Sequence, residues 1–346
     1  MGLSGAVLLL GNLHFVDPEW AGLANSPGVE KLKEYRSGSR EDFIARLDGG
    51  EYDDVVALYR SNESTNVTGP FDEELVGHLP KSLRYVCHNG AGYDNIDVGA
   101  CTKAALTQEK GIQVSSTPKA VDNATADTAI FLMLGALRLA NIPLTVLREG
   151  RWGTAKLPMA RDPQGKTLGI LGMGSIGRNL AAKARAFGMS VQYHNRSRLP
   201  ASLEQEAADA VYVDWDTLLA TSDVLSLNLS LTRATEHIIG REQLARMKKG
   251  VTIVNTARGK LIDEEALVEA LDDGDRIWSV GLDVFENEPA VHPGLIANPR
   301  VFLLPHIGTM THETRKSMEL LVIDNIKSAL AEGRLLTRVK EQDGMD

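Results

Sequence analysis

The segment GKTLGILGMGSIGRNLAAKARAFG, residues 165–188, restricts the fold more than any other part of the chain. An apolar run of strand character leads straight into Gly172, Gly174 and Gly177, and a stretch of helical period rich in small residues follows without a linker. At this spacing the first glycine permits a tight turn, the second lets the backbone approach a pyrophosphate, and the third lets helix and strand pack closely. The amides that open the helix, those of Ser175 and Ile176 among them, then face the phosphates along the favourable end of the helix dipole. The segment therefore predicts a parallel α/β sheet that carries a dinucleotide site.

The rest of the chain repeats the same grammar. Short β-branched runs alternate with longer stretches of helical period, the pattern of parallel sheets with helical crossovers. Strands are expected at AVLLLG, VVALYR, LRYVCH and IQVSS, with helical REDFIARL and DEELVGHL between them. A single long helix is expected from about Val121 to Leu147. A second series follows at KTLGILG, SVQYHN, AVYV, DVLSLNL, VTIVNTA, WSVGLDV and VFLLPH, and the chain closes on the helical HETRKSMELLVIDNIKSALAEG. At 346 residues the chain is long for one core. The expectation is two doubly wound domains, a flavodoxin-like substrate domain (1–118 plus 309–346) and a Rossmann cofactor domain (119–308). Ligands would bind in the cleft between them, outside the carboxyl ends of the strands.

Composition narrows the function by exclusion. A net charge of −9 argues against a nucleic-acid or anionic-membrane binder, so an anionic ligand must be held by a local cluster. The longest apolar stretch, TAIFLMLGALRLA, is interrupted by Arg138 and falls short of the roughly 20 residues of a membrane span. The N-terminal apolar run lacks the basic segment of a signal peptide. Two cysteines, Cys87 and Cys101, are too few for a disulfide framework, so a reducing, cytoplasmic setting is expected. No His/Cys/Asp cluster has metal-ligand spacing.

The strand after the glycine motif ends in YHNRSR. Binders of NAD place an Asp or Glu near this point to accept hydrogen bonds from the adenosine ribose. Here Asn195 is neutral and Arg196, Ser197 and Arg198 follow. A carboxylate would repel a 2′-phosphate, whereas a guanidinium offers it forked, charge-assisted hydrogen bonds. The chemistry favours NADP(H), with NAD(H) as the alternative cofactor. Either arginine could also be a solvated loop charge, and the sequence leaves Arg198 open.

Three later segments each deliver a polar group just past an apolar strand: Arg258 in NTARG, Asp283, Glu286 and Glu288 in GLDVFENEP, and His306 in PHIG. In an open parallel sheet such strand ends share one side with the phosphate loop. An arginine, a carboxylate and a histidine can therefore converge beside the reactive end of the cofactor.

In this order and at these separations, LGMGSIG, NTARG, GLDVFENEP and PHIG resemble the D-isomer-specific 2-hydroxyacid dehydrogenase family. The resemblance covers nearly the whole chain, including HNGAGYDNID, and is nearest in flavour to the glyoxylate/hydroxypyruvate reductases and the fungal D-mandelate dehydrogenase type. It implies a 2-oxoacid reductase, equivalently a D-2-hydroxyacid dehydrogenase. His306 would be the acid/base, Glu288 its orienting carboxylate and Arg258 the grip on the substrate carboxylate. The amides of Ala91 and Gly92 would bind that carboxylate from the first domain. Glu286, which with Glu288 flanks Asn287, competes for the orienting role and otherwise reads as a solvated charge, while His88 and His312 have no matching role and read as structural or pocket-lining.

The resemblance also puts Leu229, Ser230 and Thr235 near the adenosine half. Thr256 and Ala257 would lie beside the nicotinamide, and Asp283 on its carboxamide, with His306 and Gly308 at the edge of the cofactor site. A homodimer is implied, in which Trp152 either reaches the partner's pocket or packs in the interface. The alternative from another class is a nucleotide-sensing, corepressor-like binding protein on the same fold. The physiological 2-oxoacid stays open among glyoxylate, hydroxypyruvate, branched 2-oxoacids and phenylglyoxylate.

Overall fold

The computed structural model describes residues 3–104 and 111–345. The chain divides into two compact units, Met1–Val121 with Thr311–Asp346, and Asp122–Met310. Each is built on one parallel sheet.

In the first unit the strands are β1 (Gly5–Leu10), β2 (Val29–Tyr35), β3 (Val55–Ser61), β4 (Tyr85–Asn89) and β5 (Gln113–Ser115), in the order β2-β1-β3-β4-β5. Side chains alternate across a strand, so the two faces of β1 report on two cores. Ala6, Leu8 and Leu10 join Phe43, Phe71 and Val86, while Val7 and Leu9 join Trp20, Tyr59 and Ile323. Both faces are therefore covered, as a parallel sheet requires. Part of the second cover is the helix His312–Glu332, which contributes Val322, Ile326, Ala329 and Leu330. β2, with the sequence VEKLKEY, is a strand the sequence reading did not name. Among the described residues it pairs with β1 alone, at the sheet edge, and its charged residues suit an edge better than a buried run.

The second unit holds β6 (Thr167–Leu171), β7 (Ser190–His194), β8 (Val211–Tyr212), β9 (Val224–Leu227), β10 (Val251–Asn255), β11 (Ile277–Leu282) and β12 (Val301–Leu303). Their order is β12-β11-β10-β9-β6-β7-β8. The strand sequence reverses direction between β6 and β9, and such a switch point opens a crevice at the carboxyl ends. The glycine motif lies at the carboxyl end of β6, at that crevice.

One expectation needs correction. The stretch from Val121 to Leu147 is two helices, Asp122–Leu137 and Asn141–Arg148, bent by 73°. Between them Leu139 takes a φ of +49°. A continuous helix would set the ring of Pro143 against the Leu139 carbonyl and leave that carbonyl without its N–H partner. In the first turn of a new helix the missing N–H costs nothing. Among the described residues no single helix is long and apolar enough to cross a membrane.

Candidate active site

At the phosphate loop the three glycines have three different physical reasons. Gly172 has φ +97°, and a Cβ there would stand 2.8 Å from the Asn228 carbonyl. A Cβ on Gly177 would stand 2.6 Å from the Gly172 carbonyl oxygen, so helix and turn touch. A Cβ on Gly174 would meet nothing within 4 Å, and its φ of −75° is open to any residue. Protein packing does not demand that second glycine. The space it leaves lies at the start of the helix Ser175–Arg185, whose N-cap offers no side-chain hydrogen bond to the opening amides. Uncapped amides beside an open cradle fit a pyrophosphate. The Ser175 hydroxyl donates to Asp122 Oδ1 at 3.0 Å. Leu229 flanks the cradle, with Cδ2 3.0 Å from the position of a Cβ on Gly172.

The end of β7 is tied back to this loop. Asn195 Oδ1 accepts the Met173 amide at 2.7 Å, so the free polar atom of its side chain is an NH2 donor. Arg196 and Ser197 are exposed, and Arg196 makes no hydrogen bond or ion pair among the described residues. Arg198 differs sharply. It forks onto Glu204 at 2.9 and 3.0 Å, and Glu204 also accepts from the Tyr193 hydroxyl at 2.6 Å. The Arg198 hydrogen bond, then the Tyr193 hydroxyl, hold the Glu204 carboxyl below its ordinary range. In the loop after β9 the Thr235 hydroxyl donates to the Ser230 carbonyl at 2.8 Å and accepts the Thr232 amide, which fixes the turn.

The polar strand ends meet at β10, β11 and the segment after β12. Asn255, which the sequence reading did not single out, is fully buried and organises the first of them. Its Oδ1 accepts the Ala257 amide at 3.0 Å and its Nδ2 donates to the Arg258 carbonyl at 2.8 Å. The neighbouring Thr256 hydroxyl is buried without a hydrogen-bond partner among the described residues. Asp283, at the end of β11, is 1% exposed, and its carboxylate accepts the amides of Ile307 at 2.7 Å and Gly308 at 2.8 Å. Its carbonyl accepts the His306 amide at 2.7 Å, which holds His306 at φ +54°. Burial raises the Asp283 carboxyl, opposed by those two amides. A carboxylate has about four acceptor sites, so Asp283 keeps capacity for a further donor.

His306 Nδ1 lies 2.8 Å from Glu288 Oε2, and Glu288 Oε1 accepts the Phe285 amide at 2.9 Å. Burial pushes the Glu288 carboxyl up, but the imidazole hydrogen bond, the amide and the charges of His306 and Arg258 outweigh it and hold it below the ordinary value. Glu286, expected to be solvated, pairs instead with His237, while its amide donates to buried Glu264 at 2.9 Å. In the other unit Ala91 and Gly92 lie in the loop after β4, whose Gly90 carbonyl accepts the Thr117 amide at 2.9 Å. His312 packs edge-on against Phe15, with ring centroids 5.5 Å apart.

Residues 130–308 match the family described as D-isomer specific 2-hydroxyacid dehydrogenase, NAD binding domain. The chain belongs to this family. It is 58% identical over 97% of its length to the 4-methyl-2-oxopentanoate reductase A of Aspergillus oryzae, covering 98% of that protein. The crystal structure of a glyoxylate reductase from Paecilomyes thermophila superposes with a TM-score of 0.93 at 59% identity, over 98% of this chain and 99% of that one. The NADPH-dependent glyoxylate/hydroxypyruvate reductase of Sinorhizobium meliloti, solved with NADP and malonate, gives 0.81 at 30% identity, over 97% of each chain. This 2-hydroxyacid dehydrogenase is accordingly an NAD(P)-dependent oxidoreductase acting on CH–OH donors.

Proposed function

We propose that this dehydrogenase is an NADPH-preferring reductase of 2-oxoacids, with His306 as its acid/base. The observation that carries this reading is the His306–Glu288 pair, held at 2.8 Å on segments after β12 and β11, next to the end of β10 that presents Arg258. With Nδ1 committed to Glu288, the Nε2 proton of His306 is the one available to the substrate's carbonyl oxygen. Glu288 orients the ring and favours its charged form in reduction. Arg258 grips the substrate carboxylate and polarises the ketone, and the amides of Ala91 and Gly92 take the same carboxylate. The nicotinamide, when bound, supplies the hydride to the 2-carbon.

Cofactor preference follows from the end of β7. Asn195 offers a donor where an NAD binder offers a carboxylate, and Arg196 is an exposed cation with no partner among the described residues. Both suit a 2′-phosphate. Gly172, Gly174, Ser175, Ile176 and Gly177 would hold the pyrophosphate, and Ser197, Leu229, Ser230 and Thr235 the adenosine half. Thr256, Ala257, Asp283 and Gly308 would surround the nicotinamide. The substrate class runs from glyoxylate to branched acids such as 4-methyl-2-oxopentanoate, after which the relatives are named. A homodimer is supported by large apolar side chains left exposed on the bent helix pair and the following loop. Among them are Phe131, Leu147, Trp152 at 80% and Met159 at 88%.

The test is a panel of 2-oxoacids, from glyoxylate through hydroxypyruvate and 4-methyl-2-oxopentanoate to phenylglyoxylate, assayed by NADPH oxidation. Turnover on one or more members is expected. Absence of turnover on every member would sink the reading.

A further inference from the structure

Beneath the loop that carries Ala91 and Gly92 lies an arginine for which the reaction has no role. Arg60 sits near the end of β3, is 0% exposed, and faces its register partner His88 on β4. Its Nη1 is 3.1 Å from His88 Nδ1, its Nη2 donates to Thr65 Oγ1 at 2.8 Å, and its guanidinium lies 5.0 Å from the Phe71 ring centroid. Its Nε has no hydrogen-bond partner among the described residues. The groups it hydrogen-bonds are neutral. Burial pulls the guanidinium down to about 10, against the attraction of Asp94, so it remains a cation at neutral pH. A buried cation served this way is costly and calls for a reason.

The reason lies one residue pair further on. A guanidinium can only donate, so His88 Nδ1 must be the acceptor and Nε2 must carry the ring proton. That Nε2 is 3.1 Å from the Gly92 carbonyl and donates to it. The imidazole lies so close under the loop that a Cβ on Gly90 would stand 2.4 Å from Nε2. A second anchor holds the other side, where the Thr117 amide donates to the Gly90 carbonyl. Because a peptide is planar, pinning the Gly90 carbonyl aims the Ala91 N–H the opposite way. The two anchors thus bracket the two amides. Thr65 Oγ1 also accepts from Asn95 Nδ2 at 3.0 Å, so the same guanidinium joins the loops after β3 and β4.

We propose that Arg60 and His88 are positioning residues for the substrate-carboxylate loop: Arg60 sets the tautomer of His88, and His88 Nε2–H fixes the Gly92 carbonyl so that the Ala91 and Gly92 amides converge on the carboxylate. The proposal rests on the assignment of those amides made above. It gives His88, structural or pocket-lining by sequence, a defined task.

The test uses two substitutions of opposite geometry in the intact enzyme. His88→Asn keeps an acceptor near Nδ1 for Arg60 but ends the donation to Gly92. His88→Gln keeps a donor near Nε2. The Michaelis constant for the 2-oxoacid is expected to rise about tenfold in His88→Asn, the worth of one lost orienting hydrogen bond, and to return to within about threefold in His88→Gln. Turnover at saturation and NADPH affinity are expected to hold in both. An unchanged Michaelis constant in His88→Asn overturns the proposal. Equal rises in both variants, tracking a common loss of melting temperature, overturn it in favour of plain packing. Selective ¹⁵N-histidine spectra of the unaltered enzyme give an independent readout, in which protonation at Nδ1 instead of Nε2 refutes the tautomer. Gly92→Pro deletes one amide and separates the two layers. If it leaves the Michaelis constant unchanged, the amide assignment itself fails; if it raises it while His88→Asn does not, only the positioning role fails.

Discussion

Replacing Arg196 by alanine isolates the 2′-phosphate term, because the side chain has nothing else to lose. It is exposed and makes no hydrogen bond or ion pair among the described residues, so the expected change in folding stability is within about 0.5 kcal/mol. Hydrogen bonds to a charged group contribute about 1.5–3 kcal/mol, which predicts NADPH binding weakened roughly 10- to 150-fold. NADH, lacking the phosphate, should lose no more than about threefold. Adding Asn195→Asp sharpens the contrast. An aspartate can still accept the Met173 amide now taken by Asn195 Oδ1, so the loop keeps its anchor while a carboxylate faces the phosphate. The added repulsion is on the order of 1–4 kcal/mol at about 4 Å, depending on how wet the site is. The double variant should therefore prefer NADH. The assay is titration of nucleotide fluorescence with both cofactors at low and high salt, and the NADPH loss should shrink as salt screens the phosphate. Equal losses for NADPH and NADH would refute the reasoning and leave Arg196 a loop residue.

Other perturbations address the strand ends. His306→Asn, chosen because asparagine tolerates the φ of +54° at this position, should lower kcat by roughly 10²–10⁴-fold with cofactor affinity intact in the same titration. Unchanged turnover would remove His306 from the chemistry. Asp283→Asn keeps the shape but turns an NH2 toward the Ile307 or Gly308 amide; the His306 segment should relax and kcat should fall about 100-fold in steady-state assays, as misplaced groups do. The Glu288 carboxyl is held below its unfolded value, so the stability it contributes is complete above about pH 4.3 and is lost as pH falls through the lower folded value. Denaturant titrations across acid pH should show that limb flattened in Glu288→Gln, and an identical limb would discard the linkage.

Much of this was written in local sequence because the information is local. A run such as VTIVN, paired on both sides and buried along its length, is dominated by β-branched residues, and the third glycine of the phosphate loop, Gly177, is forced by the nearby Gly172 carbonyl. β2 was not legible for the converse reason: VEKLKEY pairs on one side only and keeps its charges. The break at Leu139 was available in NIP, but the apolar composition on either side reads as one helix until the Pro143 ring is placed. Arg198 could not be assigned from YHNRSR, since its partner Glu204 lies on the helix that follows. Arg60 and His88 were further out of reach, because their meeting depends on the register of β3 against β4 across 28 residues of chain.

The same contrast explains how the site stays aligned. Arg258, Glu288 and His306 come from segments after three different strands, yet none is positioned by its own side chain alone. Asn255 holds the Arg258 carbonyl, the Asp283 amide donates to the Asn255 carbonyl at 3.0 Å, and the Asp283 carbonyl in turn holds the His306 amide. Neighbouring strand ends are thus laced by backbone hydrogen bonds in the order β10, β11 and the segment after β12. A backbone link is blind to side-chain identity, so substitutions at Arg258 or Glu288 should change chemistry while leaving the lacing in place. Asn255 and Asp283 join it with side chains as well as backbone. Their substitution should disturb turnover and melting temperature together, which is the signature that separates a residue holding the site from a residue working in it.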